Sequence, residues 1–282
     1  MIGYDITYLA ENSYEEEVLE AIYDILIIPQ SDQIQQVTEM ELRNSINEEP
    51  FVFRNKFGFQ VIRIRSIKVF RDFLFKGAFK VTSNHGLADD LFVSKPHAPD
   101  IRLERSFQIQ HHLFLYQSPF TNISPQHSKL KLKYSKGQDQ MEFAQALNHH
   151  VHELLTYLPD STSVHTTANE VLQLGSGVCQ DYVHLFLGMA RQNRFPSRYV
   201  SGYLNQGSKL KGSAKMHAWA EIYLQSKGWV GLDPTNNLLV DHNYIKVAHG
   251  ADYSDCSPIR GVLKTNGANS TNHQVKVALA NQ

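Results

Sequence analysis

The run Leu174-Gly-Ser-Gly-Val-Cys-Gln-Asp-Tyr-Val-His184 constrains this chain more than any other part of it. Three small residues, Gly175, Ser176 and Gly177, form a flexible approach. The apolar segment from Tyr182 to Met189 then predicts a helix that begins at about Cys179. A cysteine in that position faces the positive end of the helix macrodipole and a turn of unpaired backbone N–H groups. This is the environment in which a cysteine becomes a nucleophile, because the reactive form is the thiolate.

Two downstream segments answer to it. Lys215-Met-His-Ala-Trp-Ala-Glu-Ile-Tyr-Leu224 alternates as a strand with His217 near its start. The polar turn Gln225-Ser-Lys-Gly228 leads into Trp229-Val-Gly-Leu-Asp-Pro-Thr235. Strand, turn and strand predict a hairpin, which folds Asp233 back beside His217. A nucleophile, a base and a group that orients the base make up the constellation of covalent acyl transfer. In that reading Asp233 accepts an imidazole N–H, and His217 pairs with Cys179 and protonates a leaving amine. Each residue alone has a plainer reading: a buried thiol, one of fourteen histidines, and an aspartate opening a turn before Pro234.

With 282 residues the chain is long enough for about two domains. Apolar residues make up 42% and charged residues 20%, as in ordinary globular proteins. Lys and Arg number 27 against 28 Asp and Glu, so no net field attracts nucleic acid or an acidic membrane. The basic run Lys129-Leu-Lys-Leu-Lys133 alternates as a solvated strand face would, and Asp89-Asp90 reads as a solvated turn. The N-terminus lacks a secretory pattern and no stretch reaches the ~20 apolar residues of a membrane span, so a cytoplasmic location is expected. In that compartment Cys179 and Cys256 remain reduced, and Cys256 is a free thiol without an assigned role. His149, His150 and His152, and separately His111-His112, invite a metal reading. Only His149 and His152 share a helical face, no Cys or clear carboxylate lies near them, and no metal site is assigned.

The first ~130 residues are β-rich by alternation. Ile62-Arg-Ile-Arg65 changes parity at Ile67 and Val69, which predicts a bulge or a new strand near Ser66. Phe107, Ile109, Leu113 and Leu115 share a parity and read as a strand. Ser13-Tyr-Glu-Glu16 matches a helix capping box ahead of Val18, Ile22, Ile25 and Leu26, yet the segment also reads as a strand. From Gly137 the character changes. Met141, Ala144, Leu147, Val151, Leu154 and Leu155 recur at helical spacing until Pro159. Thr167-Ala-Asn-Glu170 is a capping box for a short helix through Leu174. Strands return over 198–204, 216–224, 229–232 and 275–279, and 264–273 reads as an exposed loop. Helices first and strands second give an α+β domain.

In order along the chain stand Thr166-Thr-Ala168, Gly175-Ser-Gly-Val-Cys-Gln-Asp-Tyr182 and Arg198-Tyr-Val-Ser-Gly-Tyr-Leu204. His217-Ala-Trp219, Gly228-Trp-Val-Gly-Leu-Asp-Pro-Thr-Asn236 and Asp252-Tyr-Ser-Asp255 follow. In order and spacing, over roughly residues 140 to 265, this set resembles the transglutaminase-like superfamily in its bacterial branch of papain-like cysteine hydrolases. The resemblance implies a Cys179–His217–Asp233 triad, with the cysteine helix packed on an antiparallel sheet that bears the other two. It also implies an N-terminal β-domain in which 18–28, 33–37 and 56–58 are landmarks, and this favours a strand over a helix at Val18. Met216 stands where the family usually has Ser, and Ala251 where it often has Arg.

For the oxyanion, the backbone N–H of Cys179 is one donor, and Gln173 is spaced as the papain oxyanion glutamine is. Tyr203 and Trp219 are candidates to line the cleft, with core packing as the alternative. No calcium loop is recognisable and no cofactor is expected. The expected architecture is thus a β-sandwich-like N-terminal domain (1–135) and a papain-like, transglutaminase-type α+β catalytic domain (136–282). The expected activity is hydrolysis of peptide or glutamine-type amides through a thioester, with protein or peptide substrates. Cross-linking to an amine acceptor and a non-catalytic peptide-binding module are the alternatives.

Overall fold

The computed structural model describes residues 1–84, 101–135, 137–205, 210–212 and 215–280, so the Asp89-Asp90 pair lies outside it. Six strands come first: β1 (Ile2–Val18), β2 (Glu20–Ile25), β3 (Gln35–Asn44), β4 (Phe51–Arg54), β5 (Gln60–Ser66) and β6 (Phe70–Ser83). Helices α1 (Arg105–Gln110) and α2 (His112–Leu115) and a 3-10 turn (Pro125–Leu130) lead to α3 (Gln140–Leu154). Next come β7 (Thr156–Tyr157), α4 (Ala168–Leu174), β8 (Ser176–Gly177) and α5 (Cys179–Gln192). Strands β9 (Ser197–Leu204), β10 (His217–Leu224), β11 (Gly228–Asp233), β12 (Leu238–Leu239) and β13 (Tyr244–Gly250) follow. Helix α6 (Tyr253–Cys256) and strands β14 (Ile259–Lys264) and β15 (Asn269–Leu279) end the chain.

The result is a mixed α+β architecture: a β-rich N-terminal region beside a core of helices on an antiparallel sheet. The core sheet has strand order β12-β11-β10-β9-β13, and β7 pairs with β8 in parallel. The N-terminal region holds two four-stranded antiparallel sheets, β15-β1-β6-β3 and β14-β2-β5-β4. They do not close into the β-sandwich expected from the sequence. They meet where Tyr23 stacks on Phe73, with centroids 4.2 Å apart, and where the Tyr14 and Tyr23 hydroxyls bond at 2.6 Å. The first sheet also packs on the core: Phe79 of β6 lies against Tyr203, and Tyr4 donates to the His242 carbonyl. A sheet that shares its apolar face in this way has less of it left to close on a partner sheet.

Several local expectations hold. The segment at Val18 is strand, the new strand begins just after Ser66, and the apolar stripe over 141–155 is α3. Asp139 caps α3 by accepting from the amides of Met141 and Glu142, and Thr167 and Glu170 form the reciprocal box that opens α4. Helix α5 is buried from Gln180 through Arg191, its polar residues Gln180, Asp181, His184 and Arg191 included.

Others are corrected. Residues 105–115 form α1 and α2 and not a strand, because Phe107, His111 and Leu115 recur every four residues and bury one helical face. The basic run over 129–133 is no strand either: it passes from the 3-10 turn into irregular chain, with Lys131 donating to the Ile123 carbonyl. The expected loop over 264–273 is instead the end of β14, a short turn and the start of β15, two strands that pair into different sheets. The polar side chains of β15 are compatible with a strand because pairing with β1, from Tyr14↔Asn269 to Tyr4↔Leu279, satisfies the backbone. Both closing strands therefore belong to the N-terminal sheets, whereas residues 101–135 lean on the core. Thr121 accepts from Arg191, and Gln117 donates to the Gly188 carbonyl. Among the described residues no helix is long and apolar enough to cross a membrane.

The approach of the 118–124 segment to α5 requires Gly188, where an added Cβ would lie 2.4 Å from the Thr121 carbonyl oxygen and 2.8 Å from Ile123. Gly188→Ala is expected to cost about 1–3 kcal/mol of stability through overpacking. Chemical denaturation measures this, and an unchanged midpoint would show that the segment simply moves aside.

Candidate active site

Cys179 is the first residue of α5 and is half-buried. The helix opens there because Val178 is extended and Asp181, at the third helical position, turns back to accept the Val178 N–H at 2.8 Å. The same Asp181 oxygen accepts from the Thr162 hydroxyl at 2.6 Å. Gly177 makes room for this cap, since a Cβ there would lie 2.7 Å from the Asp181 side chain. Asp181 is fully buried, and burial raises its pKa against the lowering effect of Thr162 and the Val178 amide.

His217 begins β10 and Asp233 ends β11, and the hairpin between them brings His217 Nε2 to 2.8 Å from Asp233 Oδ2. Both side chains are fully buried. Asp233 is held from every side. Its Oδ2 also accepts from the Tyr244 hydroxyl and from Asn236 Nδ2, each at 2.8 Å, and its Oδ1 accepts the Thr235 and Asn236 amides at 2.9 and 3.2 Å. Its pKa is lowered: burial pushes it up, but His217 and these hydrogen bonds outweigh burial.

His217 is moved the other way. Burial opposes its charged form, yet the Asp233 carboxylate and then the Cys179 thiol raise its pKa to about 10. With Nε2 directed at Asp233, Nδ1 is the ring nitrogen left for the thiol. Among the described residues it is buried without a hydrogen-bond partner of ordinary geometry. The Gly212 main chain lies against that nitrogen, where a Cβ would be only 2.5 Å away, and Gly212 has φ +88°. Only glycine fits both conditions. Asn236 fixes this segment through the Lys211 amide (2.9 Å) and carbonyl (3.3 Å).

The other residues singled out by the sequence are placed differently. Gln173 is exposed on the last turn of α4. Tyr203 is buried, donating to the Ile27 carbonyl at 2.6 Å, and Trp219 packs in a small cluster with Val200, Leu204 and Tyr244. Both side chains are fully buried. The α3 histidines serve the fold: His149 meets Asn237, His150 the Leu130 carbonyl and His152 the Pro234 carbonyl. Sequence reasoning missed Asp181, Tyr244, Asn236 and Gly212. Asp181 carried a signal, an acidic residue at the third position of a helix whose start was already placed. Tyr244 carried none.

Buried histidines of opposite sign set the pH dependence of stability. His184 is lowered to about 3 by burial, and His249 to about 2 by burial and then by Lys246 and Arg198. Between pH 6.5 and about 3 the unfolded chain binds protons that the folded chain refuses, so acidification removes stability across that window. For fully buried His184 this amounts to at most about 1.4 kcal/mol per pH unit. His217 works in reverse: its contribution is complete below pH 6.5 and is lost as pH rises toward 10. Denaturation midpoints are therefore expected to peak near pH 6.5. A profile that is flat from pH 4 to 9 would contradict these assignments.

Residues 129–234 match the profile of the transglutaminase-like superfamily. An uncharacterized protein of Mycobacterium tuberculosis is 44% identical over 124 residues, or 41% of this chain and 40% of that protein. One from Mycobacterium leprae is 30% identical over 169 residues, or 58% and 59%. The matches thus span about two to three fifths of the length of these relatives. A protein-glutamine gamma-glutamyltransferase of Pseudomonas aeruginosa is 28% identical over 115 residues, 37% of this chain and 17% of that protein. In three dimensions, a candidate cysteine protease from Cytophaga hutchinsonii superposes with a TM-score of 0.77 at 19% identity, over 100% of this chain and 91% of the other. The segment 129–234, which contains Cys179, His217 and Asp233, is thus similar to the transglutaminase-like superfamily, in a chain that shares its overall fold, N-terminal β-rich region included, with the Cytophaga protein.

Proposed function

We propose that this protein is a cysteine hydrolase that cleaves peptide or glutamine-type amides through Cys179, His217 and Asp233. The observation that carries the reading is the buried imidazole–carboxylate pair next to a half-exposed thiol at a helix N-terminus. A structural His–Asp pair has no need of a cysteine there, and an imidazolium beside a thiol is how thiolate nucleophiles are made.

In this mechanism the Cys179 sulfur bonds to the amide carbon as the carbonyl π pair moves onto oxygen. The Cys179 backbone N–H is the oxyanion donor in this reading. Collapse breaks the C–N bond, and the His217 imidazolium gives its proton to the departing amine, leaving a thioester. Neutral His217 then takes a proton from water, the hydroxide oxygen bonds to the acyl carbon, and the thiolate leaves as the imidazolium is restored. Asp233 holds the tautomer throughout and stays ionised.

The acceptor decides between hydrolysis and cross-linking, and the Pseudomonas relative, named for glutamyl transfer, favours keeping the second reading in view. Wild type and Cys179→Ala are compared on casein and a peptide library, with and without a labelled primary amine. The expected result is cleavage or ammonia release by wild type, reduced at least about a thousandfold in the variant. Amine incorporation instead would make the protein a transglutaminase. Iodoacetamide near pH 6 should modify Cys179 well before Cys256, which is buried with a pKa well above that of a free thiol. Equal slow rates, with no turnover, would leave a peptide-binding module.

A further inference from the structure

Asp233 Oδ2 accepts from three side chains at once, and only one of them, His217 Nε2, belongs to the acyl-transfer chemistry. The second, Asn236, sits three residues along the same turn and also anchors Lys211. The third is Tyr244, which comes from β13, at the opposite end of the strand order from β11 and β12. Its hydroxyl reaches Oδ2 at 2.8 Å, and its ring lies 6.1 Å from the imidazole and 5.4 Å from Trp219, edge-on. Gly202 gives Trp219 its place in this stack, since a Cβ there would lie 2.6 Å from the indole.

The hydroxyl is not needed to fill space, because a phenyl ring would occupy the same volume. Nor is it needed to keep Asp233 from being orphaned, since four other donors remain. What it changes is the oxygen that faces the imidazole. A hydrogen bond to an ionised carboxylate stabilises the ion and draws charge away from its other partners. Without it, Oδ2 would hold the imidazolium proton more tightly. An acid that must release its proton to a leaving amine and then act as a base toward water works best with a pKa near the ambient pH.

We propose that Tyr244 is a positioning residue for the Cys179–His217–Asp233 set: its hydroxyl fixes Oδ2 opposite His217 Nε2 and limits how strongly the carboxylate holds the imidazole proton. The catalytic consequence rests on the hydrolase reading, but the effect on His217 does not. The groups facing His217 are Asp233 from β11, Tyr244 from β13, Cys179 from α5 and the Gly212 main chain, with Lys211 beside it. Burial, and then Asp233, keep Tyr244 protonated far above its ordinary range, so it remains a donor at every working pH.

The test is titration of the His217 imidazole by nitrogen-15 NMR in the full chain carrying Cys179→Ala, with and without Tyr244→Phe. The midpoint is expected to rise by about one pH unit, close to tenfold in proton affinity, when the hydroxyl is removed. Replacing Tyr244 by 3-fluorotyrosine, a stronger donor of nearly the same shape, should lower it, which also covers the case of a Tyr244→Phe protein that does not fold. With Cys179 intact, the alkaline limb of kcat/KM should move in the same directions while KM changes less. Unchanged midpoints in folded variants would overturn the proposal and reduce Tyr244 to a packing residue. That outcome leaves the hydrolase reading standing, whereas an unreactive Cys179 with shifted midpoints would sink the hydrolase reading and leave the Tyr244–Asp233 coupling in place.

Discussion

Burial of α5 on all sides is the constraint from which most of the surrounding structure follows. A helix of 14 residues enclosed by protein must find internal partners for each polar side chain it carries. The partners come from segments far apart in sequence. Asp181 accepts from Thr162, Tyr182 donates to the Leu155 carbonyl and His184 accepts the Tyr253 amide. Arg191 reaches Thr121 and the carbonyls of Ser197 and Ala251. Sliding or rotating α5 would break these bonds together, each inside a low-dielectric interior where loss is costly. Cys179, at the first position of that helix, inherits the fixity. In the proposed hydrolase, a thiol held this firmly would meet His217 in one geometry, with little reorganisation needed for reaction.

Burial alone does not tune the charges. Three histidines in contact with the core sheet or α5 are all penalised by burial in their charged form, yet they end far apart. His184 has no bonded carboxylate and drops to about 3, and His249, facing Lys246 and Arg198, drops to about 2. His217 alone is hydrogen-bonded to a carboxylate, and it rises to about 10. One strand, β10, carries both logics. His217 at its start meets an anion, while Glu221 four residues on is pulled down to about 2 against burial by Lys246 and Arg198. The sign of the neighbour, supplied by adjacent strands, decides which buried group is held charged and which is held neutral.

What the sequence revealed and concealed divides along the same physical line. Features set by local periodicity and capping were legible: the start of α5, the α4 capping box, the α3 stripe and the hairpin that pairs His217 with Asp233. Features set by distant partners were not. The α1–α2 segment has a period-two coincidence in Phe107, Ile109, Leu113 and Leu115, and only packing under Tyr223 and Trp229 shows that the every-fourth-residue stripe governs. The polar β15 looks like a loop until β1 is laid beside it. Tyr244 looks like any strand tyrosine until the order of the core sheet brings it to Asp233. Tyr203 is a similar case: its burial depends on the Ile27 carbonyl, 176 residues away in sequence.

The N-terminal region bears on the candidate site through the edge of the core sheet. Strand β13 is the outermost strand on its side, and an exposed edge is prone to slippage or foreign pairing. Here Gln35 acts as a surrogate neighbour: its side-chain oxygen accepts the Lys246 amide at 2.9 Å and its nitrogen donates to the Lys246 carbonyl at 2.7 Å. The Gln30 amide joins the same carbonyl, and the Lys246 ammonium closes on Glu221 of β10. All of this is fixed two residues from Tyr244. Strands β14 and β15 return to pair with β2 and β1, so the region that supplies Gln30 and Gln35 is itself tied down by chain that follows the core. The β-rich region thus does more than sit beside the core sheet. It sets the register of the strand whose tyrosine reaches the carboxylate, and through that carboxylate it acts on the histidine.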